Sequence, residues 1–169
     1  MVSAAVTVVG AVVSAVRARR PTRASAAGIA WTVTPGVTAA QGCAASARVP
    51  LTHRGLARPL RFVTGHCRAD EPLDLDWAGL ADPQTTIVFY MGHAAAPELS
   101  RKLVEHGLGA ATPVLCVSQG TMPGERRLFT RLDRLPRDLA EAGLPSPILI
   151  MIGEAIGWRA SSRATDGRF

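Results

Sequence analysis

Apolar positions along the chain fall into runs of two kinds. Residues 85–90 (TTIVFY), 114–117 and 148–152 (ILIMI) are continuous apolar stretches of strand length. Such runs predict strands buried on both faces. Residues 29–34 (IAWTVT) alternate and are β-branched, residues 60–65 (LRFVTG) follow the same habit, and 128–132 is a further strand candidate. Between these lie helical patterns. Pro35-Gly36 punctuates the chain before an Ala-rich helix over 37–47. Residues 97–106 (PELSRKLVEH) carry Leu99, Leu103 and Val104 at helical spacing, with Gly107 as the stop. Residues 135–142 predict a helix ending at Gly143. Strands alternating with helices predict an α/β layered domain, a mixed sheet flanked by helices. There is no internal repeat and no long low-complexity linker.

The two ends read differently. The first sixteen residues, MVSAAVTVVGAVVSAV, are apolar but too short to span a bilayer. Their basic residues follow the apolar run, the reverse of a signal peptide. A soluble segment is expected, and periodicity leaves strand and helix both open. The tail from Arg159 is small, polar and charged, and is expected to fray. The chain therefore divides into an atypical segment 1–25, a domain over 26–159 and a disordered tail over 160–169.

Composition narrows the function classes. The chain has 169 residues, 47% hydrophobic and 19% charged, as in a soluble globular domain. Its formal net charge of +6 favours anionic partners. A solvated Arg-rich surface explains that charge equally simply. Arg17, Arg19, Arg20 and Arg23 form one short cluster, with no long basic run and no interleaved aromatics, so neither nucleic acid nor a membrane is an expected partner. Cys43, Cys67 and Cys116 are far apart and lack CxxC spacing, which argues against a disulfide framework or zinc site. Reduced thiols in a cytoplasmic protein are expected. His53, His66, His93 and His106 have no metal-ligand spacing.

In α/β sheets ligands tend to sit where loops leave the carboxyl ends of strands. Three glycine-bearing loops qualify: Pro35-Gly36, Met91-Gly92 and Gln119-Gly120-Thr121. Glycine permits φ > 0 and close backbone approach. No GxGxxG, P-loop, HExxH or GxSxG pattern is present.

Five ordered segments carry a resemblance: TPGVTAAQGCAASARVPLTHRG (34–55), RFVTGH (61–66), DWAGLADPQTTIVFYMG (76–92), PVLCVSQGT (113–121) and SPILIMIGEAIGWR (146–159). In order and spacing the chain resembles the tetrapyrrole methylases over residues 24–159, and within them the uroporphyrinogen-III C-methyltransferase subgroup. The resemblance implies an α/β enzyme that methylates uroporphyrinogen III to precorrin-2 with S-adenosyl-L-methionine, on the way to sirohaem or cobalamin. Such enzymes are homodimers holding the cofactor between two domains.

By motif match, Thr38, Ala39, Met91 and Gly120 would contact the cofactor, and His53 and Arg54 the substrate. Taken from the residues alone, Thr38 is a helix-start cap, Met91 a core side chain and Gly120 a turn, while His53 and Arg54 are equally a surface loop. Methyl transfer needs the sulfonium methyl and the pyrrole carbon held in line, and a base for the departing proton. A polycarboxylate substrate would give the positive charge a use.

The resemblance also has gaps. The family's Gly-x-Gly-Pro-Gly-Asp-Pro loop and its Gly-Gly-Asp-Pro loop have no counterpart here, and Gln119 stands where Asn is usual. No catalytic residue is assigned; the single lysine, Lys102, lies on an unmatched helix. The sequence is therefore expected to be the carboxy-terminal part of such an enzyme, its amino-terminal domain largely missing. Two function classes follow: a methyltransferase, or an inactive fragment acting as a dimerising or weak cofactor-binding module.

Overall fold

The computed structural model describes residues 6–9, 26–28, 31–65 and 73–162. His66, Cys67, the basic cluster at 17–23 and the tail beyond 162 lie outside them. The chain forms two compact units, Met1–Gln41 and Gly42–Phe169.

In the first unit, β1 (Val6–Val9) pairs in parallel with β2 (Trp31–Thr34). The Val-rich start of the chain, whose periodicity left its state open, thus contributes a strand. Helix α1 (Ala39–Ala47) begins in this unit and runs into the second. Its Ala-rich sequence has the highest intrinsic helix propensity.

The second unit is built on one five-stranded sheet. Its strands are β3 (Leu60–Thr64), β4 (Thr86–Tyr90), β5 (Pro113–Ser118), β6 (Arg126–Arg131) and β7 (Ile148–Ile152), in the order β3-β4-β7-β5-β6. Only β3 and β4 run parallel; β7 is antiparallel to both β4 and β5, and β6 to β5. Strands β4, β5 and β7 are the continuous apolar runs, and nearly every position in them is buried. Helices on both faces require that composition. The edge strands β3 and β6 are largely exposed. Arg61 in β3 and Arg126, Arg127 and Arg131 in β6 put charge on the two edges, which discourages pairing with another sheet.

Four further helices flank the sheet: α2 (Trp77–Leu80), α3 (Ala96–Glu105), α4 (Leu135–Ala142) and α5 (Glu154–Ser162). Asp76 caps α2 by accepting from the Gly79 N–H at 2.9 Å. Helix α3 opens with Pro97 and Glu98 and has Lys102 in its last turn, charges that suit the helix dipole. Leu99 and Leu103 are fully buried, whereas Val104 is 38% exposed. The helical spacing is therefore right, but the buried stripe is one residue narrower than 99-103-104. Ser100 Oγ donates to the Leu132 carbonyl at 2.5 Å, which ties α3 to the 3-10 turn Leu132–Arg134. Helix α4 ends at Gly143 in the left-handed conformation the sequence anticipates. Helix α5 continues through residues 160–162, beyond the point where fraying is expected.

Candidate functional site

Strand register decides which loops meet. Tyr90 pairs with Thr64 on β3 and with Leu149 on β7; Leu149 pairs with Val117, and Ser118 with Arg126. The carboxyl ends of β3, β4 and β5 therefore share one rim of the sheet with the start of β7. The loops after RFVT, FY and VS all emerge there. Strands β4 and β5 are separated only by β7, so their ends lie about 10 Å apart.

At this rim the backbone is strained. Met91 has φ 56°, Gln119 49° and Thr121 64°. Left-handed conformation costs a non-glycine residue about 1–2 kcal/mol, and more for a β-branched one such as Thr121. Such residues persist only where their surroundings hold them, and they cluster at ligand sites. Met91 is 59% exposed, so it is not a core side chain.

The glycines of these loops are fixed by the protein's own packing. A Cβ on Gly65 would lie 3.0 Å from the Gly92 Cα, and the Gly65 N–H donates to the Tyr90 carbonyl at 2.7 Å. A Cβ on Gly120 would lie 2.2 Å from Cys43 Sγ on α1. Gly120 is thus more than a turn residue: it admits the loop to the helix.

A polar cluster missed in the sequence fastens the same loop. Ser46 Oγ on α1 donates to the Glu125 carboxylate, its oxygen 2.7 and 2.8 Å from Oε1 and Oε2. The Thr121 N–H donates to Glu125 Oε2 at 2.6 Å. Arg127 pairs with Glu125 Oε1 at 2.5 Å and donates to Ser46 Oγ at 2.7 Å. The hydroxyl of Ser46, then the Thr121 amide and the Arg127 guanidinium, hold the Glu125 carboxyl below the usual carboxylate range. Together with Met122 these residues line a surface hollow of about 550 Å³. Burial pushes the Cys43 thiol up and that of Cys116, inside the sheet, up to about 12, so both are neutral at ordinary pH. Both are free thiols.

Thr38 and Ala39 stand in the first unit, at the start of α1. The Thr38 N–H donates to Gln41 Oε1 at 3.0 Å, and the Gln41 N–H donates to Thr38 Oγ1 at 3.3 Å. This is a capping box, T-x-x-Q, and it accounts for Thr38 as a helix-start cap. The pattern stands plainly in residues 38–41, but its Gln41 half was not a sequence-level candidate.

His53 and Arg54 are not brought to the rim. They begin a tight turn closed by the His53–Ala57 bridge. The chain leaving it bonds through Arg58 to the Gln84 carbonyl and through the Pro59 carbonyl to the Thr86 N–H, at the amino end of β4. The His53 ring lies 5.7 Å from that of Trp158, and its buried Nδ1 has no hydrogen-bond partner among the described residues. Arg54 is exposed. Among the described residues no group of His, Cys, Asp and Glu could hold a metal, and no helix is long and apolar enough to cross a membrane.

Comparisons with known proteins agree with this architecture. The family profile of the Tetrapyrrole (Corrin/Porphyrin) Methylases matches residues 6–136. Uroporphyrinogen-III C-methyltransferase of Paracoccus denitrificans is 55% identical over 127 residues, 75% of this chain and 44% of that protein. Siroheme synthase of Azotobacter vinelandii is 44% identical over 144 residues, 85% of this chain and 31% of that protein. The chain thus spans less than half the length of either relative. The crystal structure of uroporphyrin-III C-methyltransferase from Thermus thermophilus complexed with S-adenyl homocysteine superposes with a TM-score of 0.68 at 28% identity, covering 84% of this chain and 61% of that one. With more than half of its residues matched by the family profile, on a mixed sheet flanked by helices, the chain belongs to the tetrapyrrole methylases.

Proposed function

We propose that the chain supplies the carboxy-terminal side of an S-adenosyl-L-methionine site in a cytoplasmic, homodimeric enzyme that C-methylates uroporphyrinogen III. The observation that carries this reading is the rim itself. Three family-like loops converge there, and two of them hold non-glycine residues in the left-handed region. The residues fit an adenosyl thioether or sulfonium ligand. Met91 offers an exposed, polarisable apolar side chain. The turn at Gln119–Thr121 offers backbone polar groups and the Gln119 amide. Thr38 and Ala39 remain cofactor contacts proposed from the family resemblance alone. The bound cofactor would supply the electrophilic methyl group; the chain's part is to hold that group's adenosyl portion and exclude water.

His53 and Arg54 remain candidate contacts for the substrate's carboxylates. The exposed guanidinium of Arg54 suits that role by charge.

Titration of the purified chain with S-adenosylhomocysteine, followed by amide chemical shifts, tests the cofactor reading. Shifts are expected at Met91, Gly92, Gln119 and Gly120. An absence of saturable shifts, or shifts confined to the turn at 53–57, would overturn it. A methyl-transfer assay with uroporphyrinogen III then separates the enzyme from a binding module without activity.

A further inference from the structure

The geometry points to Glu125 as the positioning residue that fixes the Gln119–Thr121 loop against α1 in its ligand-ready shape. This rests on the cofactor reading for its purpose, but not for its test. Gln119 and Thr121 flank Gly120 in left-handed conformations that their side chains disfavour. The Gln119 N–H donates to the Pro147 carbonyl at 3.0 Å, and the Met122 N–H to the Gln119 carbonyl at 3.1 Å. The remaining strained residue, Thr121, is held at its amide by Glu125, at 2.6 Å.

The same carboxylate reaches across to α1. Ser46 donates to both of its oxygens, and Arg127 braces it from β6. One side chain therefore joins three elements: the loop, the helix and the edge strand. A charged acceptor bound by a hydroxyl, an amide and a guanidinium is held more firmly than a neutral one. The packing beneath depends on that grip. Gly120 lies directly on Cys43 Sγ, and Gly42 approaches Thr121 so closely that a Cβ would lie 3.1 Å from its Cγ2. If the carboxylate lets go, the loop can lift and uncover the thiol. Cys43, 4% exposed, is thus a reporter of loop position that needs no ligand.

The test uses the full chain in a Cys67→Ser background, so that Cys43 and Cys116 are the remaining thiols. Modification by a thiol-specific disulfide reagent is timed for the parent, Glu125→Ala, Glu125→Gln and Asp138→Ala. Asp138 accepts a bond from Thr130 farther along β6, so its variant controls for general loss of stability. Glu125→Ala is expected to speed Cys43 modification about tenfold or more, the size of one lost charge-assisted hydrogen bond. Cys116 should stay silent. Glu125→Gln should fall between, because its amide oxygen still accepts from Thr121.

An unchanged Cys43 rate in Glu125→Ala, or an equal rise in Asp138→Ala, would overturn the proposal. Affinity for S-adenosylhomocysteine should fall about tenfold in Glu125→Ala and hold in Asp138→Ala; an equal fall in both would again overturn it. If the parent itself binds no S-adenosylhomocysteine, the cofactor reading fails, and the thiol rates alone decide whether Glu125 clamps the loop.

Discussion

The two rims of the five-stranded sheet are made from the same strands but turn the chain by different means. At the rim where β4 and β7 begin and end respectively, the reversals use glycine. Gly107 follows α3 at φ 105°, and Gly153 follows β7 at φ 144°. At the other rim Gly143, ahead of β7, has φ 52°, but Met91, Gln119 and Thr121 take up positive φ without being glycine. A turn needed only for connection costs least with glycine. Side chains retained at a cost in backbone energy mark the rim where side chains matter. The difference marks the proposed site more clearly than a hollow does: another hollow, about 520 Å³ and lined by Pro113, Phe129 and Ile156, lies toward the opposite end of β5 and β6.

The sheet interior is common to both rims, so Phe89→Ala, at a fully buried position, should cost most, about 3–5 kcal/mol, and abolish both rims together in urea unfolding. Gly120→Ala should cost about 1–3 kcal/mol through its clash with Cys43. A double-mutant cycle with Cys43→Ala should recover much of that loss; no coupling would show that the helix contact does not require the glycine. At the opposite rim Gly107→Ala meets no atom within 4 Å, so its cost, about 1 kcal/mol, should be backbone strain alone and show no coupling to any neighbour.

Met91→Gly acts on one of the strained residues of the loop rim. It relieves strain but loosens the unfolded chain, so a net gain of about 0.5 kcal/mol is expected, together with weaker S-adenosylhomocysteine shifts. Loss of stability there would mean that Met91 is held for packing.

The smallest effect concerns pH. The folded-state pKa of Glu125 lies below its unfolded value, so its contribution is complete above about pH 4.3 and is lost as pH falls through the folded value. Glu125→Gln should flatten that acid limb and leave the neutral-pH slope unchanged.

The fold was legible where burial is complete. ILIMI and TTIVFY announce β7 and β4 because a strand covered on both faces has no polar positions to disguise it. The four-residue helix Trp77–Leu80 was not anticipated: one turn is too short to show a period. Val104 fits the helical spacing yet is exposed, because spacing identifies a helix but not the width of its buried stripe. The proposed site was half legible. Glycines after strands pointed to the Met91 and Gly120 loops. Glu125 was invisible because its partner Ser46 lies 79 residues away, and nothing local in GERR distinguishes it from a solvated charge. His53 and Arg54, adjacent in PLTHR, lie apart from the rim.

The position of β7 bears on how the chain can be made. It is the last strand in the described sequence, yet it lies between β4 and β5. On a ribosome β3 with β4 and β5 with β6 emerge as two separate strand pairs, each with an apolar edge, and no strand pairing joins them until residues 148–152 appear. Until then Ile87, Val88 and Phe89 offer a bare strand edge to any neighbour, which is a natural target for a chaperone and a hazard for a crowded polysome. A stop codon just before Ile148 would leave most of the residues of this unit in place and its sheet in two halves.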